Sequence, residues 1–231
     1  MLRAAAADLL WGSRCVACGL AGAPLCVDCA SRPVPPPPRT LAAAGAALTV
    51  YAAGSYTDEL ADAVPAFKER ELRALAAPLG DALARAVARG CPPGAARAWL
   101  VPVPPSRRSR RTRGFVPVHA LARRAARGLR RTGMDVRLAL GVLGYTRDVA
   151  DQAGLGAGER ARNLDGALEG VDGSLLAGLR RAGRRGEPLV LVDDVVTIGA
   201  TLLEAARALA AVGVRVTAAA VVADTPLGHA R

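Results

Sequence analysis

Aromatic residues are nearly absent from this sequence, at 3% of 231 residues. A core without rings has to be assembled from Ala, Leu and Val, which dominate the 52% hydrophobic content and favour helices packed on a Val-rich sheet. The same scarcity argues against the stacking platforms of single-strand nucleic-acid binders. Lysine is rarer still: Lys68 is its only instance, so the net charge of +11 is carried by arginine. An excess of that size points to a polyanionic partner, either nucleic acid or a phosphorylated small molecule. An arginine-rich, lysine-poor composition is equally what a GC-rich genome produces, so the location of the charge counts for more than its total. Long apolar runs are missing as well. Asp8 interrupts residues 1–11, which read as an amphipathic helix and not a secretory leader. The longest uncharged stretch, residues 40–57, contains Gly45, Gly54 and several polar residues and falls short of the roughly 20 apolar residues a membrane helix needs. The expectation is a cytoplasmic protein with no membrane insertion.

The run Pro33-Val-Pro-Pro-Pro-Pro38 is a stiff spacer, because proline fixes its own backbone and disfavours helix in the residue before it. It divides the chain into a cysteine-bearing head, residues 1–38, and a main domain, residues 39–231. Beyond it, residues 48–51 read as a strand, and residues 58–90 carry helical periodicity broken at Pro65 and Pro78. Residues 98–103 form a short apolar strand that runs into an arginine-dense stretch, and residues 118–131 read as a helix. A buried strand at 187–192, a helix at 199–212 and a strand at 214–222 complete the pattern. Apolar strands alternating with helices predict an α/β domain with a mainly parallel sheet flanked by helices.

Cys15-Val-Ala-Cys18 and Cys26-Val-Asp-Cys29 are two Cys-x-x-Cys knuckles joined by a short turn containing Gly19, Gly22 and Pro24. Four thiolates so spaced satisfy tetrahedral Zn²⁺ and close a segment too small to build its own core. With every ligand position filled by sulfur, such a site is structural and not catalytic. Two disulfides or one redox pair are the alternatives, less favoured in a chain that is not exported. Cys91 has no evident partner.

The segment Leu189–Val192 is a continuous apolar strand that ends in Asp193-Asp194 and leads into Thr197-Ile-Gly-Ala-Thr201 at the start of a helix. Ligands of parallel α/β sheets bind beyond the carboxyl ends of strands, where this acid pair falls. A helix start supplies unpaired N–H groups and a positive dipole end, and Gly199 lets a phosphate approach the backbone. Thr197 and Thr201 add hydroxyl donors. Each element alone has a bland reading, the acid as a helix cap and the glycine as a turn. Together, in this order, they suit a sugar phosphate.

This segment resembles the phosphoribosyl-diphosphate motif of type I phosphoribosyltransferases, in which an apolar strand and Asp-Asp precede Val-x-Thr-Thr-Gly-Ala-Thr. Ile198 replaces the second Thr of that pattern and so offers only its backbone N–H. More of the chain resembles one branch of that superfamily, the ComF family of competence-associated proteins. The resemblance begins at Asp8-Leu-Leu-Trp11 and the cysteines. It continues through Lys68 in Ala66-Phe-Lys-Glu-Arg70, through Val101-Pro-Val-Pro104, and through the basic loop Arg107-Arg-Ser-Arg-Arg-Thr-Arg-Gly-Phe115. Arg147, Gln152, Leu155, Arg160 and Asn163 follow in the family's order. Pro117 and Val118 stand where an Asn-Gln pair often occurs, and Val149 replaces a frequent Thr.

The resemblance implies that phosphoribosyl diphosphate binds with its 5-phosphate on Thr197, Ile198, Gly199, Ala200 and Thr201. Its ribose hydroxyls would meet the catalytic carboxylates Asp193 and Asp194. Mg²⁺ would be held chiefly by ligand oxygens and retained waters. Pro104, Lys68, Arg107, Arg108 and Arg113 would serve the pyrophosphate, neutralising charge as it departs from an oxocarbenium-like centre. Arg147, Gln152, Arg160 and Asn163 fall on the acceptor side, and the acceptor itself is not specified. A different class of function stays open, that of a non-enzymatic factor handling single-stranded DNA with the competence machinery, through salt-sensitive phosphate contacts. A homodimer is also left open. A receiver-type phosphorylation site is disfavoured, since a phosphate cradle is redundant beside an acidic acceptor.

Overall fold

A computed structural model describes residues 13–43, 46–105, 115–147, 149 and 163–225. Along the chain lie α1 (Val27–Ser31), β1 (Arg39–Ala43), β2 (Ala46–Ser55), α2 (Asp58–Lys68) and a 3-10 turn (Arg73–Leu75). Next come α3 (Ala76–Gly90), β3 (Arg97–Pro102), α4 (Pro117–Arg131), β4 (Asp135–Leu138), β5 (Leu143–Tyr145) and β6 (Leu168–Gly170). The chain continues with α5 (Ser174–Arg184), β7 (Leu189–Val196), α6 (Ala200–Ala211) and β8 (Ala218–Asp224). Six strands form one sheet in the order β1-β2-β8-β7-β3-β4. Only β1 and β2 pair antiparallel within it, and every other neighbour is parallel. Strands β5 and β6 make a separate antiparallel pair.

The central strands are apolar throughout because both of their faces are covered, as parallel sheets require. Val190, Val192, Ala220 and Val222 point to one side, into a core with Leu60, Leu83 and Leu121 of α2, α3 and α4. Leu189, Leu191, Ala219 and Val221 point to the other, against Leu176 and Leu179 of α5 and Leu202 and Leu209 of α6. This is the two-residue alternation of a strand, used twice. On the first side α3 and α4 approach closely at Gly80, where a Cβ would lie 2.5 Å from the Cβ of Arg124. Arg124 then forks onto Asp81, its Nε and Nη2 donating to the two carboxylate oxygens at 2.8 and 2.7 Å.

Two sequence expectations shift. The helical stretch is not broken at its prolines: Pro65 lies inside α2, and Pro78 is the third residue of α3, where a missing N–H costs nothing. The break falls between the two helices, around Glu71, whose φ of 51° is incompatible with continued helix. Strand β7 does not stop before the acid pair but continues through it to Val196, and β8 begins only at Ala218. Among the described residues no helix is long and apolar enough to cross a membrane.

The order of the strands sets the place of the site. From β3 the chain passes through α4 to β4, moving toward one edge. From β7 it passes through α6 to β8, moving the opposite way. The adjacent carboxyl ends of β3 and β7 are therefore the switch point of the sheet, the place where α/β folds put their ligands.

Candidate active site

Strand β7 outruns its neighbour. The last β3 partner is Pro102 opposite Val192, followed by a hydrogen bond from Val103 N–H to the Val192 carbonyl at 3.1 Å. Beyond that point β7 pairs with β8 alone, as far as Val196 opposite Asp224. Asp193 and Asp194 are the first residues past the step, and the buried Pro104 leads the chain away on the β3 side.

The two carboxylates have different surroundings. Asp194 is 8% exposed, and Lys68 at the end of α2 places its Nζ 3.0 Å from each of its oxygens. Asp193 is half-buried and accepts the N–H of Asp194 at 2.8 Å. Burial first, and then the charge on Asp194, push the Asp193 carboxyl up to about 8; Lys68 and the Asp194 N–H offset this only in part. Tyr145, from the β5–β6 pair, lies near enough to respond: burial, and then the charge on Asp193, raise its hydroxyl to about 12.

After Val196 the chain turns into α6 through Gly199, the N-cap, in the left-handed region at φ 83°. The position needs glycine twice over. The backbone conformation disfavours any side chain, and a Cβ would collide with Leu41 of β1, 2.8 Å from its Cδ2 and nearer still to its Cδ1. Gly199 has no side chain with which to cap the helix, so the N-cap leaves the first-turn N–H groups without a side-chain acceptor. Asp193 and residues 195–202 together line a small cavity of about 30 Å³. A larger groove, about 520 Å³, lies at the far end of β7 and β8 among Arg180, Arg184 and Arg215, away from the acids.

Arg147 donates to the carbonyls of Asn163 and Asp165 at 3.0 and 3.1 Å, so two of the acceptor-side candidates meet, through a backbone contact. Gln152 and Arg160 lie outside the described residues, as do Arg107, Arg108 and Arg113. Trp99 is buried and donates its indole N–H to Glu187 at 3.0 Å, which removes it as a stacking surface. The sequence reading missed Tyr145 and an ion pair of Arg39 with Asp224 beside the loop. Asp224 did carry a signal, since it closes the apolar run of β8 as Asp193 closes that of β7.

In the head, the sulfurs of Cys15, Cys18, Cys26 and Cys29 all lie within 4.8 Å of one another, and those of Cys18 and Cys26 are 3.7 Å apart. Tetrahedral Zn–S bonds of about 2.3 Å require sulfur separations of about 3.8 Å, so the donor set and its spacing fit zinc. All four thiols are free, which sets aside the disulfide alternative. Burial works to raise the Cys15 thiol, but the backbone around it at Cys26, Cys18 and Ala17 outweighs it and holds the group at about 6. Burial, with the neighbouring sulfurs, drives Cys29 the other way. Thiols packed this closely cannot all ionise without a cation between them. Cys15, Cys26 and Cys29 share the core of α2 and α3, and Arg32 pairs with Glu59 of α2 at 3.1 Å.

A mainly parallel sheet whose switch point carries an acid pair and an uncapped helix start defines the class of α/β proteins that take phosphorylated ligands at a strand–helix turn. A family model described as a phosphoribosyl transferase domain matches residues 111–230, more than half of the chain, and the protein belongs to that family. A comparison with curated proteins finds no match.

Proposed function

We propose that the protein is a ComF-type phosphoribosyltransferase of the cytoplasm, binding phosphoribosyl diphosphate and Mg²⁺ at the carboxyl ends of β3 and β7. Residues 1–38 would form a zinc-bearing head on a transferase domain of residues 39–231. The observation that carries this reading is the shared lining of one small cavity, in which Asp193 comes together with residues 195–202. A ribose 5-phosphate spans those two chemistries, hydroxyl donors for the carboxylates and an anion for the N–H groups.

In the reaction, Asp193 and Asp194 accept hydrogen bonds from the ribose hydroxyls, and residues 197–201 hold the 5-phosphate. The ribosyl carbon is thereby fixed in line with an incoming nucleophile. The bond from that carbon to pyrophosphate breaks with its electron pair going to the pyrophosphate, and the acceptor's lone pair forms the new bond. Bound Mg²⁺ supplies charge neutralisation at the pyrophosphate. Carboxylates beside the ring stabilise the positive charge that develops on the sugar. Cysteine thiolates as metal ligands suit a reducing compartment.

Calorimetric titration of the purified protein with phosphoribosyl diphosphate and Mg²⁺ tests the reading. At pH 9, where the Asp193 carboxyl is ionised, saturable binding is expected, weakened at least about tenfold by Asp193→Asn with Asp194→Asn, since each change then removes charge from a hydrogen bond. Absence of saturable binding by the wild type, or equal binding by the double variant, overturns it.

A further inference from the structure

The phosphate loop is buttressed by a strand that lies outside the matched residues 111–230. Two alternate residues of β1, on one face of the strand, meet the loop: Leu41 covers Gly199, and Arg39 donates from Nη2 to the Thr197 carbonyl at 2.7 Å. The same Nη2 lies 2.7 Å from Oδ1 of Asp224, at the end of β8, and Thr225 beside it donates its N–H to the Val196 carbonyl at 2.9 Å. The arrangement is imperfectly satisfied. Arg39 Nε and Asp224 Oδ1 are both buried without an aligned hydrogen bond, and retention of such groups calls for a reason other than stability.

A peptide unit is planar and trans, so its C=O and N–H point in opposite directions. The carbonyl of Thr197 and the N–H of Ile198 belong to one such unit. Holding the carbonyl on Arg39 turns the Ile198 N–H to the other side of the loop, and Ile198 has no hydroxyl to offer instead. We propose that Arg39, braced by Asp224, is a positioning residue that orients the Thr197–Ile198 peptide so that its N–H binds the 5-phosphate of the ligand. Leu41 limits the same loop from above by closing the space over Gly199. This rests on the phosphoribosyl reading of the site, and it adds a strand the family match does not include.

Ile198 is the only isoleucine in the chain, so protein labelled with ¹⁵N-isoleucine reports this one amide in a proton–nitrogen NMR spectrum. Ribose 5-phosphate is the probe. In the wild type its addition is expected to move the Ile198 peak downfield. In Arg39→Ala the peak is displaced before ligand is added and moves less. Affinity then falls about tenfold, the worth of one aligned hydrogen bond to a charged group. Arg39→Lys, which keeps one charged donor, recovers part of both effects, whereas a loss that came only from weakened folding would leave the free-state peak in place. An unchanged peak and equal affinity in Arg39→Ala overturn the inference while the phosphoribosyl reading stands. A wild-type peak that ignores ribose 5-phosphate overturns both. Should Arg39→Ala fail to fold, Arg39→Gln carries the same comparison with the same expected and opposing results.

Discussion

Replacing Asp193 by Asn removes a carboxyl group whose ionisation the surrounding protein opposes. An ordinary aspartate ionises near 3.8, whereas this one holds its proton to about 8, through burial and the neighbouring Asp194. Between those values the folded protein keeps a proton that the unfolded chain releases, so stability falls as pH rises from about 4 and levels off above about 8. Fully expressed, the difference would exceed about 5 kcal/mol. Asp193 is only half-buried and keeps part of its hydration, so about 1–2 kcal/mol is the realistic penalty at pH 9. Asn cannot ionise and escapes it. In thermal unfolding followed by circular dichroism, Asp193→Asn should melt on the order of 5 °C above the wild type at pH 9, with the gap shrinking toward pH 5. Groups elsewhere in the chain titrate alike in both proteins and cancel in the difference. A gap of the same size at both pH values, or a variant less stable at pH 9, would refute the account. The substitution that stabilises the free protein is the one expected to weaken binding of phosphoribosyl diphosphate, the usual trade between a poised site and a stable fold.

Gly199→Ala meets both the left-handed backbone and the methyl groups of Leu41, and should cost about 2–4 kcal/mol in chemical denaturation together with loss of ribose 5-phosphate binding. Adding Leu41→Ala should return the crowding part of that loss and not the backbone part. For the head, about one zinc per chain is expected by elemental analysis, lost in Cys26→Ser and retained in Cys91→Ser, because Cys91 stands apart from the four-sulfur cluster. Removal of the metal by a chelator should lower the melting temperature, since three of the ligands are buried in the core of α2 and α3.

The acid pair and the loop were legible because their chemistry is local. An apolar run, two acids and a glycine-containing helix start fall within thirteen consecutive residues, 189–201, and each step has its own physical signature. The extent of β7 was not, because Asp is a poor strand former and only pairing with β8 carries the strand through Asp193 and Asp194. The prolines misled as well. Pro78 falls in the first turn of α3, where an N–H has no helical partner to lose, whereas Pro65 sits in the interior of α2 and the helix continues past it to Lys68; the positive φ at Glu71 that accompanies the break has no residue-type signal. The short strands β5 and β6, three residues each, are too brief to show a period.

What braces the site is harder to read than what fills it. Lys68 was singled out by resemblance, but its contact with Asp194 depends on α2 ending beside β7, and that depends on the strand order. Arg39 and Asp224 come from opposite ends of the chain and meet only because β1 folds back on β2 and β2 pairs with β8. A ligand-binding loop must present its donors in series along the backbone, so it is written in one stretch of sequence. The groups that keep those donors aimed need only be near in space, and the sheet can recruit them from anywhere along the chain. Substitutions at Arg39 or Asp224 should therefore act on the loop although neither residue lies in its segment, and the single isoleucine amide at 198 is where that action is read.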